Sequence, residues 1–161
     1  MAKAFALISA FCFLAAVANA ASESFTVSGN VYCDPCRVKF KTRISENVPN
    51  AVVRLECRNM TTDAVTYSKE ATTGENGFYT IDVEGEFGND ICDVTALKSS
   101  REDCKDTRGR VDKSQIVISN NAGMHNTVRY ANPLFFTTEK ASPQCPQVLK
   151  EIDYVPIDKI M

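Results

Sequence analysis

The sequence predicts an all-β domain: a small antiparallel β-barrel or sandwich of about seven strands, stapled by three disulfides, with a short C-terminal helix. Three observations lead there. Apolar residues recur with period two along most of the chain, turn residues separate the periodic stretches, and six cysteines follow residue 20.

The strands come in order. In SFTVSGNVYC, Phe25, Val27, Val31 and Cys33 share one face, with Gly29 in the same phase. In AVVRLECR, Ala51, Val53, Leu55 and Cys57 face one way; Arg54, Glu56 and Arg58 face the other. Tyr79, Ile81 and Val83 oppose Phe78, Thr80 and Asp82. Cys92, Val94 and Ala96 line up, as do Ile116 with Ile118 and Val128 with Tyr130. TGENG (73–77), EGEFGND (84–90) and SNNAG (119–123) supply the Gly, Asn and Asp that accept positive φ and close turns. Only QVLKEIDY (147–154) has helical spacing, with Val148 and Ile152 on one side. SSREDCKDTRGR (99–110) reads as a long charged loop tethered by Cys104.

Residues 1–20 read as a secretory signal peptide: Lys3, an apolar run from Ala4 to Val17, then Ala18-Asn19-Ala20 as a small-x-small cleavage site. The run is shorter than the roughly 20 residues that cross a bilayer core, and no second apolar segment follows. The expected organisation is a signal peptide over 1–20 and a single β domain over 21–161, secreted and extracellular. Cleavage after Ala20 leaves 141 of the 161 residues, one domain's worth, with 17 cationic and 20 acidic side chains and a net charge of −3. That balance argues against nucleic-acid binding, which leaves a strongly basic footprint.

Cleavage also removes Cys12, leaving Cys33, Cys36, Cys57, Cys92, Cys104 and Cys145. An even number in an oxidising compartment reads as three disulfides, with 15 possible connectivities. Cys57 and Cys92 both share a face with core residues, so a bridge between them could join packed strands. Cys33-Asp34-Pro35-Cys36 also has the spacing of a redox centre or half a zinc site. A redox pair, however, sits at a helix N-terminus, and here the pair closes a strand. Zinc needs four ligands, and the chain adds only one histidine, His125. Cys33 and Cys36 therefore bond separate distant partners.

A hydrolase needs a histidine base oriented by an acid. His125 lies in NAGMHNTV beside a turn, as a surface residue. Glu102 and Asp103 belong to the solvated loop. No phosphate loop or Ca²⁺ loop pattern appears. No catalytic residue, metal site or cofactor is expected. Two surface features remain. Asn59-Met60-Thr61 is an N-glycosylation acceptor. In RVKFKTRI, Arg37, Lys39, Lys41 and Arg43 alternate with Val38, Phe40, Thr42 and Ile44. As a strand, this segment would place four cations on one face and bury Phe40. The cations would protect a sheet edge or bind an anionic surface.

SGNVYCDPCR resembles the signature of the pollen allergen family typified by the major olive pollen allergen, Ole e I. The order and spacing of the six cysteines, and the blocks ATTGENGFYTIDV, GNDICDV and RYANPLFF, are similar to that family too. The resemblance runs from Phe25 to about Tyr154 and is nearest to anther- and pollen-specific secreted members. It implies a small β-barrel or sandwich with Cys33 bonded to Cys104, Cys36 to Cys145 and Cys57 to Cys92. It also implies a non-enzymatic role in pollen hydration, germination or tube growth. The expected partner is an extracellular protein, such as a cell-surface receptor, or a cell-wall polysaccharide, with the chain acting as a monomer. A small hydrophobic-ligand carrier and a secreted protease inhibitor are the alternatives.

Overall fold

The computed structural model describes residues 23–107 and 112–155; the expected signal peptide lies outside them. Two sheets pack face to face as a sandwich. The first is built around β1 (Ser24–Asp34). On one side β1 pairs antiparallel with β5 (Phe78–Glu84) and then with the short β2 (Glu46–Asn47). On the other it pairs parallel with β8 (Val128–Tyr130) and β9 (Leu134–Thr137). The second sheet is antiparallel, in the order β4 (Val65–Thr72), β3 (Val52–Asn59), β6 (Asp90–Lys98), β7 (Lys113–Ile116). A short helix, α1 (Cys145–Glu151), follows.

Period two becomes a core because alternate residues of each strand point to one face. Phe25, Val27, Val31, Tyr79, Ile81 and Val83 from the first sheet meet Val53, Leu55, Val94 and Ile116 from the second, all buried. Gly29 is required where it stands: a Cβ there would lie 2.4 Å from the Tyr79 hydroxyl. Gly77 closes the turn that carries the chain from β4 in one sheet to β5 in the other, at φ 77°, where a Cβ would lie 2.6 Å from that of Asn47.

The strands do not close into a barrel. Side chains cross the two seams instead. Lys69 donates to the Asp82 carbonyl at 2.7 Å, covering the free edge of β5. Opposite, the Asn132 amide donates to Ser114 and the Phe135 amide to Asp112. The three disulfides pair Cys33 with Cys104, Cys36 with Cys145 and Cys57 with Cys92, the pairing the resemblance implies. Cys57 and Cys92 face each other directly across β3 and β6.

Four expectations need correction. Nine strands form among the described residues, because β2, β4 and β9 carry no clear alternation. RVKFKTRI is not a strand: it is a loop, with Arg37 and Lys39 at φ 61° and 68°. The phase of β8 is reversed: Arg129 is buried and Tyr130 exposed. On α1, Val148 is buried, but Ile152 lies past the helix end and faces solvent.

Candidate functional site

The end of β1 holds the CDPC segment, and the chemistry there is structural. Cys33 and Cys36 are buried and bonded elsewhere. Asp34 between them is fully buried. Its Oδ1 accepts from the amides of Cys36 (3.1 Å) and Arg37 (2.9 Å), and its Oδ2 accepts from that of Lys39 (2.7 Å). The carboxylate winds the following loop around itself. This local side-chain competition for backbone donors is why the alternating sequence does not extend.

The four cations then diverge. Arg37 turns back to donate to the carbonyls of Thr138, at 2.5 Å, and Glu139, and lies 3.1 Å from Asp106. Arg43 reaches α1 and holds Glu151 through two nitrogens, at 2.7 and 3.2 Å. That pair raises the Arg43 pKa and holds the Glu151 carboxyl below its ordinary value. Lys41 donates to Asn47 at 2.8 Å and lies 5.9 Å from the centre of the Tyr32 ring. Lys39 is exposed. Phe40 is half-buried against Tyr154, with ring centres 5.4 Å apart. With Cys36–Cys145, these contacts fasten the loop to α1. They form no cationic stripe.

Asn59 ends β3 in a tight turn. Its Oδ1 accepts from the amides of Thr61 and Thr62, and Met60 and Thr61 are exposed. His125 is exposed, two residues past Gly123, which sits at φ 71°. Glu102 and Asp103 are on the surface. Lys105 and Arg101 respectively hold their carboxyls low. Among the described residues no group of three or more His, Cys, Asp or Glu is placed to hold a metal, and no helix is long and apolar enough to cross a membrane.

Sequence reasoning missed two residues. One is Asp34, whose only signal was a carboxylate ahead of Pro35. The other is Arg129, 3% exposed. Its guanidinium donates to the carbonyls of Val117 (3.0 Å), Ser119 (2.9 Å) and Asn126, and lies 4.9 Å from the centre of the Phe25 ring. It pins the segment after β7 onto β8. Burial of an arginine was unreadable from the local pattern, because the carbonyls that satisfy it come from other loops.

The outer face of the β4-β3-β6-β7 sheet is a lattice of ion pairs: Arg54 with Glu70 at 2.6 Å, Arg58 with Glu56 at 2.8 Å, Lys113 with Asp93 at 2.7 Å. Such pairs are worth little each in stability, but they neutralise that face.

The comparisons with known proteins fit this architecture. The family model described as "Pollen protein Ole e 1 like" matches residues 23–153. The chain belongs to this family. It is 47% identical to the anther-specific protein LAT52 of Solanum lycopersicum, over 98% of this chain and 99% of that protein. It is 42% identical to the pollen allergen Che a 1 of Chenopodium album, over 92% of each. The crystal structure of the major plantain pollen allergen Pla l 1 superposes with a TM-score of 0.68 at 30% identity, covering 76% of this chain and 100% of that one. The Ole e 1-like fold is thus the observed sandwich.

Proposed function

We propose that this Ole e 1-like chain is a secreted, non-enzymatic glycoprotein of anther or pollen, acting outside the cell as an interaction protein in pollen hydration, germination or tube growth. The observation that carries the reading is the set of three buried disulfides, each joining cysteines 35 to 109 residues apart in the sequence. Bonds of this kind form and persist in an oxidising compartment. Similarity to an anther-specific protein over nearly the whole chain supports the tissue. Asn59, in an exposed turn after β3, is the glycosylation site.

The test is chemical crosslinking of the purified secreted protein to pollen and stigma surfaces, followed by identification of what it captures. Recovery of a specific, saturable surface partner is expected. Retention of the chain inside the cell, or hydrolytic turnover of a substrate by the pure protein, would overturn the reading. Enzymatic deglycosylation converts a glycan-bearing Asn59 to Asp, and the resulting mass shift of the Asn59 peptide decides its occupancy.

A further inference from the structure

The two outer faces of the sandwich differ in chemistry. That of the β4-β3-β6-β7 sheet is crossed by ion pairs. On the other sheet, the outward residues of β1 over its pairing with β5 and β8 are Ser24, Thr26, Ser28 and Asn30, none charged. Two rings flank this polar row. Phe78 stands directly across from Asn30 on β5, and Tyr130 directly across from Ser28 on β8. Paired residues share a face, so both rings point to solvent, Phe78 at 50% and Tyr130 at 77% exposure. They lie two strand spacings and two residues apart, about 12 Å between Cα atoms. That spans a few pyranose rings.

We propose that this face binds a neutral, unbranched β-linked glucan, its sugar rings stacking on Phe78 and Tyr130 and its hydroxyls meeting Ser28, Asn30 and Thr80. The inference rests on the extracellular reading above and names a partner class for it. Charge complementarity selects the occupant. The only charged side chains among the outward residues of β1 over this pairing, β5 and β8 are carboxylates, Asp82 and Glu84, at one end of the face. Lys41 stands at the other end, beside Tyr32 and already bonded to Asn47. An acidic polysaccharide would meet two like charges there, and the two cations at the margins, Lys69 on the Asp82 carbonyl and Lys41 on Asn47, are already engaged, whereas a neutral chain loses nothing. Aromatic rings that carry one apolar face to water, beside short hydroxyl and amide side chains, suit a ligand whose own faces alternate C–H with O–H. A protein partner is the competing occupant, and the test separates the two.

The secreted full-length protein is sedimented with phosphoric-acid-swollen cellulose, and in parallel with insoluble polygalacturonate. Binding to the glucan is expected, little changed between low and high salt, because no ion pair is involved. Tyr130→Ala and Phe78→Ala should each weaken it about tenfold, the loss of one stacking contact. Arg58→Ala on the opposite face should leave it unchanged. Both rings are exposed, and unchanged melting temperatures check that the variants fold. Failure to sediment with the glucan, equal binding by the Phe78→Ala/Tyr130→Ala double variant, or binding only to polygalacturonate would overturn the proposal. Running the double variant through the surface crosslinking keeps the two readings apart. If it still captures the same surface protein, the glucan site falls and the interaction reading stands. If it loses that protein and the wild type never bound glucan, the face belongs to a protein partner.

Discussion

Asp34→Ala is the most demanding test of the loop that fastens α1. The substitution removes a fully buried carboxylate and leaves the amides of Cys36, Arg37 and Lys39 without their acceptor. Hydrogen bonds to a charged group contribute about 1.5–3 kcal/mol each. Three at full value would exceed the range of ordinary substitutions. Two of them lie at part-buried positions, where water replaces the lost acceptor. The net loss is about 4 kcal/mol. In a domain of this length that lowers the melting temperature by about 15 °C. Asp34→Asn keeps one oxygen for two of the donors and turns an amide NH2 toward the third, so it should lose about half as much. Thermal unfolding with the disulfides intact reads both variants. Hydrogen exchange at the three amides reads the loop directly: they should exchange faster in both variants, while the core strands stay protected. A melting temperature within about 3 °C of wild type for Asp34→Ala would refute the account. So would equal damage from Asn and Ala, which would mean that shape rather than hydrogen bonding holds the turn.

Other outcomes follow from the same contacts. Arg129→Met should cost about 3 kcal/mol in urea unfolding, and Arg129→Lys should restore little of it, because an ammonium cannot span three carbonyls on separate loops. Lys39→Gln with Lys41→Gln should leave the melting temperature nearly unchanged, whereas Arg37→Gln should lower it, since Arg37 ties two backbone carbonyls and Asp106. The carboxyls of Glu86, Glu102, Asp103 and Glu151 are all held below their ordinary values, chiefly by hydrogen bonds from Ser119, Lys105, Arg101 and Arg43. Their contribution is present above the ordinary carboxylate range and is lost as pH falls through the lowered values, so the melting temperature should decline below about pH 4.5. The Glu102→Gln/Glu151→Gln variant should decline less steeply over the same window. Full reduction removes three crosslinks, each worth about 4–5 kcal/mol for closed loops of 35 to 109 residues. The reduced chain should unfold near ambient temperature by circular dichroism.

What the sequence disclosed depended on whether a strand had one buried face. β1, β3, β5 and β6 lie with one side on the core, and their alternation set both element and phase. β4 is an edge strand whose residues are exposed or half-buried throughout, so no apolar period marks it. β9 fails for the opposite reason: Leu134, Phe136 and Thr137 are all buried, and a run without alternation does not read as a half-buried strand. RVKFKTRI shows that alternation is not sufficient. Its pattern was there, yet a buried acceptor three residues upstream of Arg37 captured the backbone donors that a sheet would have used. The disulfide pairing was reached through family likeness; strand phase alone supported only Cys57 with Cys92.

Sandwich and barrel could not be told apart from the strands, because the difference lies in two seams that the strands do not form. At one, β4 presents Tyr67 and Lys69 to a single carbonyl on β5. At the other, Ser114, Asp112 and Arg129 bridge to segments that sheet hydrogen bonds leave unpaired. Each bridge is a long-range side-chain-to-backbone bond, 12 to 23 residues apart in sequence. None leaves a periodic trace. The same bridges explain why Arg129, the residue whose phase was misread, is buried at all. A hydrophobic side chain in its place would fill the space beside Phe25 but leave the carbonyls of Val117 and Ser119 without a donor at the open side of the core. Burying an arginine there trades core hydrophobicity for closure of the seam, and it turns the Tyr130 ring outward onto the face proposed to meet a glucan.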